Sequence, residues 1–149
     1  MVLMEKHFGC ARWIYNYGLD KKIKTYQTTK ESLSRFTLCK DLPILKSKEE
    51  TSWLKEVNAQ SLQASLEKLD KAFTRFFKEK KGFPKFKKKH ESRKSFFVPQ
   101  KGIVNFDTNT ISLPKFKTPI KCKISRKFKG IQKTITICKT PTNKYFASI

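Results

Sequence analysis

Apolar positions recur at helical intervals through the first half of the chain and at every second residue through much of the second half. Leu62, Leu66, Leu69, Phe73 and Phe76 stand at i, i+4, i+7, i+11 and i+14, which places them in one stripe along a helix. Gln63, Glu67, Lys68 and Asp70 fall on the wet side of that helix. Asn58 is placed to cap its start, because an Asn side chain can accept from the open N–H groups of a first turn. Its end is expected near Gly82, where a left-handed cap costs least, since Pro84 cannot continue a helix. An earlier helix is predicted over residues 1–26, carrying Phe8, Ala11, Tyr15, Gly18, Leu19, Ile23 and Tyr26, with Lys21, Lys22 and Lys24 suited to its C-terminal end. Gly9 and Gly18 on it mark either a close helix approach or weak points. Thr28 to Ser34 reads as a polar connection. Thr37 is expected to cap a shorter helix with Leu38, Leu42 and Leu45, which Pro43 kinks or ends. A charged link over 46–52 leads to a brief helical turn at Trp53, Leu54 and Val57.

After Lys94 the period changes to two. Ser95–Pro99 reads as extended. Ile103–Phe106 and Thr110–Leu113 form a predicted hairpin with Asp107, Thr108 and Asn109 in its turn. Lys121–Ile124 and Lys133–Lys139 alternate, and Pro141-Thr142-Asn143 turns the chain into a last strand over 144–149. Pro99, Pro114, Pro119 and Pro141 all lie between these runs, as strand boundaries require. The fold class expected is α+β. An N-terminal lobe of three or four helices over 1–81 is followed by a basic arm over 82–94 and a small antiparallel, barrel-like unit over 95–149. That unit is of the oligonucleotide-binding, wedge-like sort and incomplete as a barrel.

Charge narrows the function. The chain of 149 residues carries a formal net charge of +22. Residues 1–74 hold 13 Lys/Arg against 9 Asp/Glu, whereas residues 75–149 hold 21 against 3. From Arg75 to Lys94 alone there are ten Lys/Arg and two Glu, interleaved with Phe76, Phe77, Phe83 and Phe86. So many cations repel one another unless something anionic neutralises them, and nucleic acid is the leading partner. A membrane surface is the runner-up and is disfavoured by the absence of a separate basic amphipathic helix; no run approaches the length of a membrane span. Phe83, Phe86, Phe96 and Phe97 are either stacking platforms for unpaired bases or core residues that seat the arm.

Chemistry of other kinds finds little support. Cys10, Cys39, Cys122 and Cys138 form no C-x-x-C pair and read as reduced thiols, so no zinc site is expected. Beyond residue 79 the acids are Glu91 and Asp107, too few and too dispersed to hold Mg²⁺ for phosphodiester cleavage. The glycines are scattered, and His7 and His90 lie in poor contexts for catalysis. No catalytic residue, metal, cofactor or small-molecule substrate is expected.

Phe8-Gly9-Cys10-Ala11-Arg12-Trp13-Ile14-Tyr15-Asn16 resembles the F-G-x-x-R-x-x-Y-N signature of the TnpB, or OrfB-type, proteins of bacterial insertion sequences. Trp53-Leu54-Lys55-Glu56-Val57 with Leu62-Gln63 is similar to the family's W-L-x-E-V-x-x-x-x-L-Q, and Gly82-Phe83-Pro84-Lys85-Phe86-Lys87 to its G-[FY]-P-[RK]-F-[RK]. Leu113-Pro114-Lys115 follows its L-P-K, although Lys117 stands where the family prefers Gly. The resemblance runs over nearly the whole chain. It implies a helical recognition lobe, with a helix-turn-helix region at its start, inserted into a wedge-like barrel. It also implies an N-terminal half that grips guide RNA and reads a short transposon-adjacent DNA motif, specificity beyond that coming from base pairing. The family's RuvC-like nuclease domain has no counterpart in these residues, so the expected role is nucleic-acid binding associated with transposition, without catalysis and in the bacterial cytoplasm at the nucleoid. A decayed or regulatory remnant acting as a stand-alone DNA-binding protein is the alternative.

The candidate contact residues follow. Arg12, Tyr15 and Asn16 carry the signature, and Tyr15 and Asn16 either touch nucleic acid or lock helices together. Asn58, Gln60 and Gln63 would face DNA by analogy, since amides can read base edges. Lys78, Lys80, Lys81, Lys85, Phe86, Lys87, Lys88, Lys89, Arg93 and Lys94 form the basic arm and its approach. Lys101, Arg126 and Lys127 add cations from the strand half.

Overall fold

The computed structural model describes residues 2–90 and 93–149. In chain order they form helix α1 (Val2–Thr29), α2 (Arg35–Ser47), a 3₁₀ helix (Glu49–Glu56), α3 (Ala59–Glu79), then strands β1 (Lys94–Val98), β2 (Ile103–Asn105), β3 (Thr110–Ser112), β4 (Ile120–Lys121), β5 (Ile135–Lys139) and β6 (Tyr145–Ser148). The expected α+β arrangement is present, with the helices first. The strands make two antiparallel sheets, ordered β1-β5-β6 and β2-β3-β4. They do not close into a barrel.

Several boundaries differ from the sequence reading, each for a local reason. α1 runs to Thr29, past its three lysines, with the Thr28 and Thr29 hydroxyls donating back to the Lys24 and Thr25 carbonyls at 2.9 Å. Ser34, not Thr37, caps α2; its Oγ accepts from the Thr37 N–H at 3.3 Å. α2 continues four residues beyond Pro43, with Leu42 and Leu45 on either side of the proline buried in the core. α3 is capped by Asn58 as expected, but ends at Glu79 with Lys80 in the left-handed conformation (φ 51°), so Gly82 is not needed there. Of the alternating run Lys121–Ile124, only Lys121 lies in a strand, together with Ile120 before it in the two-residue β4.

Two cores share one helix. Ile14, Leu19, Leu38, Leu54, Leu62, Leu66 and Leu69 are fully buried in the helical core. Met4, Phe8 and Ala11, at the start of the same α1, belong instead to the sheet core with Phe96, Val98, Val104, Ile111, Ile135 and Ile137. Each such aliphatic or aromatic side chain contributes about 1.5–3 kcal/mol by leaving water. Gly18 lets α1 and α3 touch: a Cβ there would stand 2.8 Å from Leu69 and 2.9 Å from Leu66. Gly9 has nothing within 4 Å of its would-be Cβ. The two glycines are thus different, one a close approach and the other open.

Lys22, in the second half of α1, is 8% exposed. Its ammonium donates to the Leu33 carbonyl at 2.6 Å and to Asp70 at 3.2 Å, and lies 4.9 Å from the centre of Phe73. His7 joins the two halves. Its Nδ1 donates to the Leu3 carbonyl at 2.8 Å, and its Nε2 accepts the Asn58 N–H at 3.1 Å, at the start of α3. Phe96 and Phe116 pack on the ring at 4.9 and 5.2 Å.

Candidate nucleic-acid interface

The arm after α3 is extended and lies against α1. Asn16 holds it there. Its Nδ2 donates to the Lys87 carbonyl at 2.9 Å and its Oδ1 accepts the Lys87 N–H at 2.8 Å, so the side-chain amide pairs with the peptide as a neighbouring strand would. The Lys87 ammonium sits 4.3 Å from the centre of the buried Tyr15 ring, a favourable cation–π distance. Pro84, within the arm, is buried. Asn16 and Tyr15 therefore tie the arm to α1, and Tyr15 also belongs to the helical core.

Docking the arm creates a groove of about 230 Å³ between α1, the arm and the start of β1. Arg12 comes from α1, Lys87, Lys88 and Lys89 from the arm, and Arg93 and Lys94 from the approach to β1 and its first residue. Phe8, Gly9 and Ser95 complete the wall. Among the described residues Glu5 is the one acid lining it, and it is turned to structural use: Lys139 and the Tyr145 hydroxyl both donate to its carboxylate. The bond from Lys139, opposed by partial burial and helped by Tyr145 and by the charge of Lys94, holds the Glu5 carboxyl below its ordinary range. Six cations thus line one concave surface, a concentration of positive charge that can attract an anionic ligand.

The other candidates lie elsewhere. Asn58 is buried, its Oδ1 capping Gln60 and its Nδ2 donating to Ser61. Gln60 bonds the Gln100 side chain at 3.2 Å, and Gln63 is exposed on α3. Lys78, Lys80, Lys81 and Lys85 are exposed around the end of α3 and the start of the arm, and Phe86 is 48% exposed. Lys101, in the β1–β2 turn, and Arg126 and Lys127, between β4 and β5, are exposed but do not line the groove. Among the phenylalanines weighed for stacking, Phe96 is fully buried, and Phe97 is covered by the Lys68 ammonium 3.8 Å from its centre. Phe83 packs edge-on against Phe73 and Phe76. Sequence reasoning missed Glu5, Phe8, Gly9 and Ser95 as wall residues. Glu5, Gly9 and Arg12 follow helical spacing, so their shared face was visible, but the arm that covers it was not.

Among the described residues no group of three or more His, Cys, Asp or Glu stands close enough to hold a metal ion. Among the same residues, no helix is long and apolar enough to cross a membrane.

A family model for a helix-turn-helix domain of the OrfB insertion-sequence kind matches residues 2–31. Over 146 residues, 98% of this chain, the sequence is 28% identical to the "Putative RNA-guided DNA endonuclease InsQ" of Escherichia coli (strain K12), covering 36% of that protein. These matches liken the chain to OrfB-type insertion-sequence proteins. It is also 26% identical over 148 residues to the "Putative RNA-guided DNA endonuclease" of Streptomyces pristinaespiralis, covering 37% of it. The chain spans little more than a third of the length of the curated relatives it matches. The residues matched by the helix-turn-helix model are α1 and the first residues beyond it, and they supply Arg12, Asn16 and the floor of the groove.

Proposed function

We propose that this chain binds nucleic acid through the cationic groove between α1 and the arm, as the gripping portion of a TnpB-type transposon protein, without catalysis of its own. The observation that carries the reading is the convergence of Arg12, Lys87, Lys88, Lys89, Arg93 and Lys94 on one concave surface. In this reading residues 1–81 form the recognition lobe, residues 82–94 the arm that seats the polyanion, and residues 95–149 a wedge-like unit that braces it. The ligand is guide-type RNA, transposon-end DNA or both, and the site of action is the bacterial cytoplasm at the nucleoid. The likeness to relatives named as RNA-guided DNA endonucleases supports this choice of partner.

The test is a salt series. Binding of the purified chain to its element's own right-end transcript, to random RNA of equal length and to transposon-end duplex is measured by anisotropy. Affinity is expected to fall steeply with salt, with the element's own RNA preferred, and Arg93→Ala and Lys94→Ala should each reduce the salt slope by roughly one. Salt-insensitive binding, or none at low salt, sinks the proposal. Metal-dependent cleavage by the purified chain in Mg²⁺ would overturn the non-catalytic part.

A further inference from the structure

The chain's two tryptophans, Trp13 and Trp53, meet beside the cationic groove. Their ring centres are 5.3 Å apart and their planes stand 83° to each other. Both are fixed before any ligand arrives. Trp13 lies flat on Tyr17 at 5.4 Å, and the Trp53 Nε1–H donates to the Glu50 carbonyl at 2.9 Å. Trp53 nevertheless keeps 36% of its surface in solvent. The pair lines a second groove of about 280 Å³, whose rim includes Gly9 and Arg12, the same two residues that line the first. The two grooves thus meet on α1 at a residue without a side chain, and the space above it is open.

The chemistry of this second groove suits a flat ring next to a phosphate. Glu56, which would repel a phosphate, is paired with Lys6 at 2.6 Å. The Cys10 thiol is pushed up to about 11, by burial first and by Glu56 second, so it stays neutral and is not a nucleophile. No carboxylate among the described residues forms an ion pair with Arg12, which leaves its charge available at the junction. A base within a duplex offers only its edges, whereas an unpaired base offers a face. We propose that an unpaired nucleobase docks against the Trp13–Trp53 pair while its strand crosses α1 over Gly9, with the flanking phosphate at Arg12 and the rest of the backbone in the cationic groove. The inference rests on the groove reading above and adds a strand state to it.

Tryptophan emission reads the site directly, because both fluorophores are in it. The full chain is titrated at low salt with a short oligothymidylate, an oligouridylate, an abasic deoxyribose-phosphate strand of equal length and a blunt duplex. Saturable quenching by both base-bearing strands, with little from the abasic strand or the duplex, is expected. Trp53→Ala should weaken oligothymidylate binding about five- to hundredfold, the range that loss of one base–aromatic stack produces. Gly9→Leu, which is compatible with a helix, should abolish the quenching by blocking the crossing, with the helical circular dichroism retained as the folding control. Binding of oligothymidylate without quenching, equal quenching by the abasic strand or the duplex, or Trp53→Ala binding as tightly as the parent overturns the proposal. Failure of every polyanion to bind removes the groove reading as well, so the two failures are distinguishable.

Discussion

Asn16 replaces a missing strand partner with a side chain. A side-chain amide can present an N–H and its C=O side by side, so two hydrogen bonds fix the arm at Lys87 without a sheet. Gln132 does the same at Val104, accepting its N–H at 2.9 Å and donating to its carbonyl at 3.2 Å. Asn16→Ala should therefore cost about 1–2 kcal/mol in a denaturant melt and speed proteolysis within residues 80–90, since it leaves the Lys87 peptide without these two bonds. His7 gives a pH signature. Burial, aided by the nearby positive charge of Lys115 and opposed by the Leu3 hydrogen bond, holds its imidazole below the ordinary value of 6.5. The unfolded chain protonates first, so the stability His7 contributes is complete above about pH 6.5 and is lost as pH falls through the lower folded value. His7→Gln should flatten this part of the melting-temperature profile between pH 7 and pH 5; an unchanged profile would mean that another group is responsible. The sequence offered both residues but not their roles. Asn16 meets its partner 71 positions away, and His7 is set 51 positions from the N–H it accepts. Spacing rules see three or four residues along a helix, not contacts of that span.

At the scale of elements, the helices were the most legible part, because their apolar stripes are long and their ends carry chemistry. Asn58 is the case in point, a cap expected from one residue type and found with its Oδ1 on the Gln60 N–H. The exceptions are instructive. Pro43 cannot donate to the Cys39 carbonyl, yet α2 persists because Leu42 and Leu45 are anchored in the helical core. Pro43 is itself exposed, so Pro43→Ala should raise stability by about 1–3 kcal/mol, read as a higher denaturant midpoint with an unchanged slope. Gly18→Val should do the opposite, by about 1–3 kcal/mol, because its branched side chain must displace the methyl groups of Leu66 and Leu69. The short strands were less legible. β4 is two residues long, and its register is set by pairing with β3 and not by any pattern of its own.

Across the whole molecule, the excess of positive charge in residues 75–149 named a class of partner before any fold was known. Charge could not name the site, because exposed lysines occur from the end of α3 to the β4–β5 loop and only some line the groove. Six groove cations on a single strand should give a log–log salt slope of about −4, against which the many outlying lysines add little if the groove is the principal site. A slope far steeper would place the binding over the surface as a whole. The sharing of α1 between two cores has a further consequence, for the order of events on the ribosome. Met4, Phe8 and Ala11 emerge first, yet the residues that cover them, from Phe96 to Ile137, are made more than eighty positions later. At roughly 5–20 residues per second, that apolar strip waits on the order of ten seconds for its partners. The nascent chain therefore offers a hydrophobic segment well ahead of its partners, and translation stopped near Lys89 should leave that segment exposed and the product prone to aggregate.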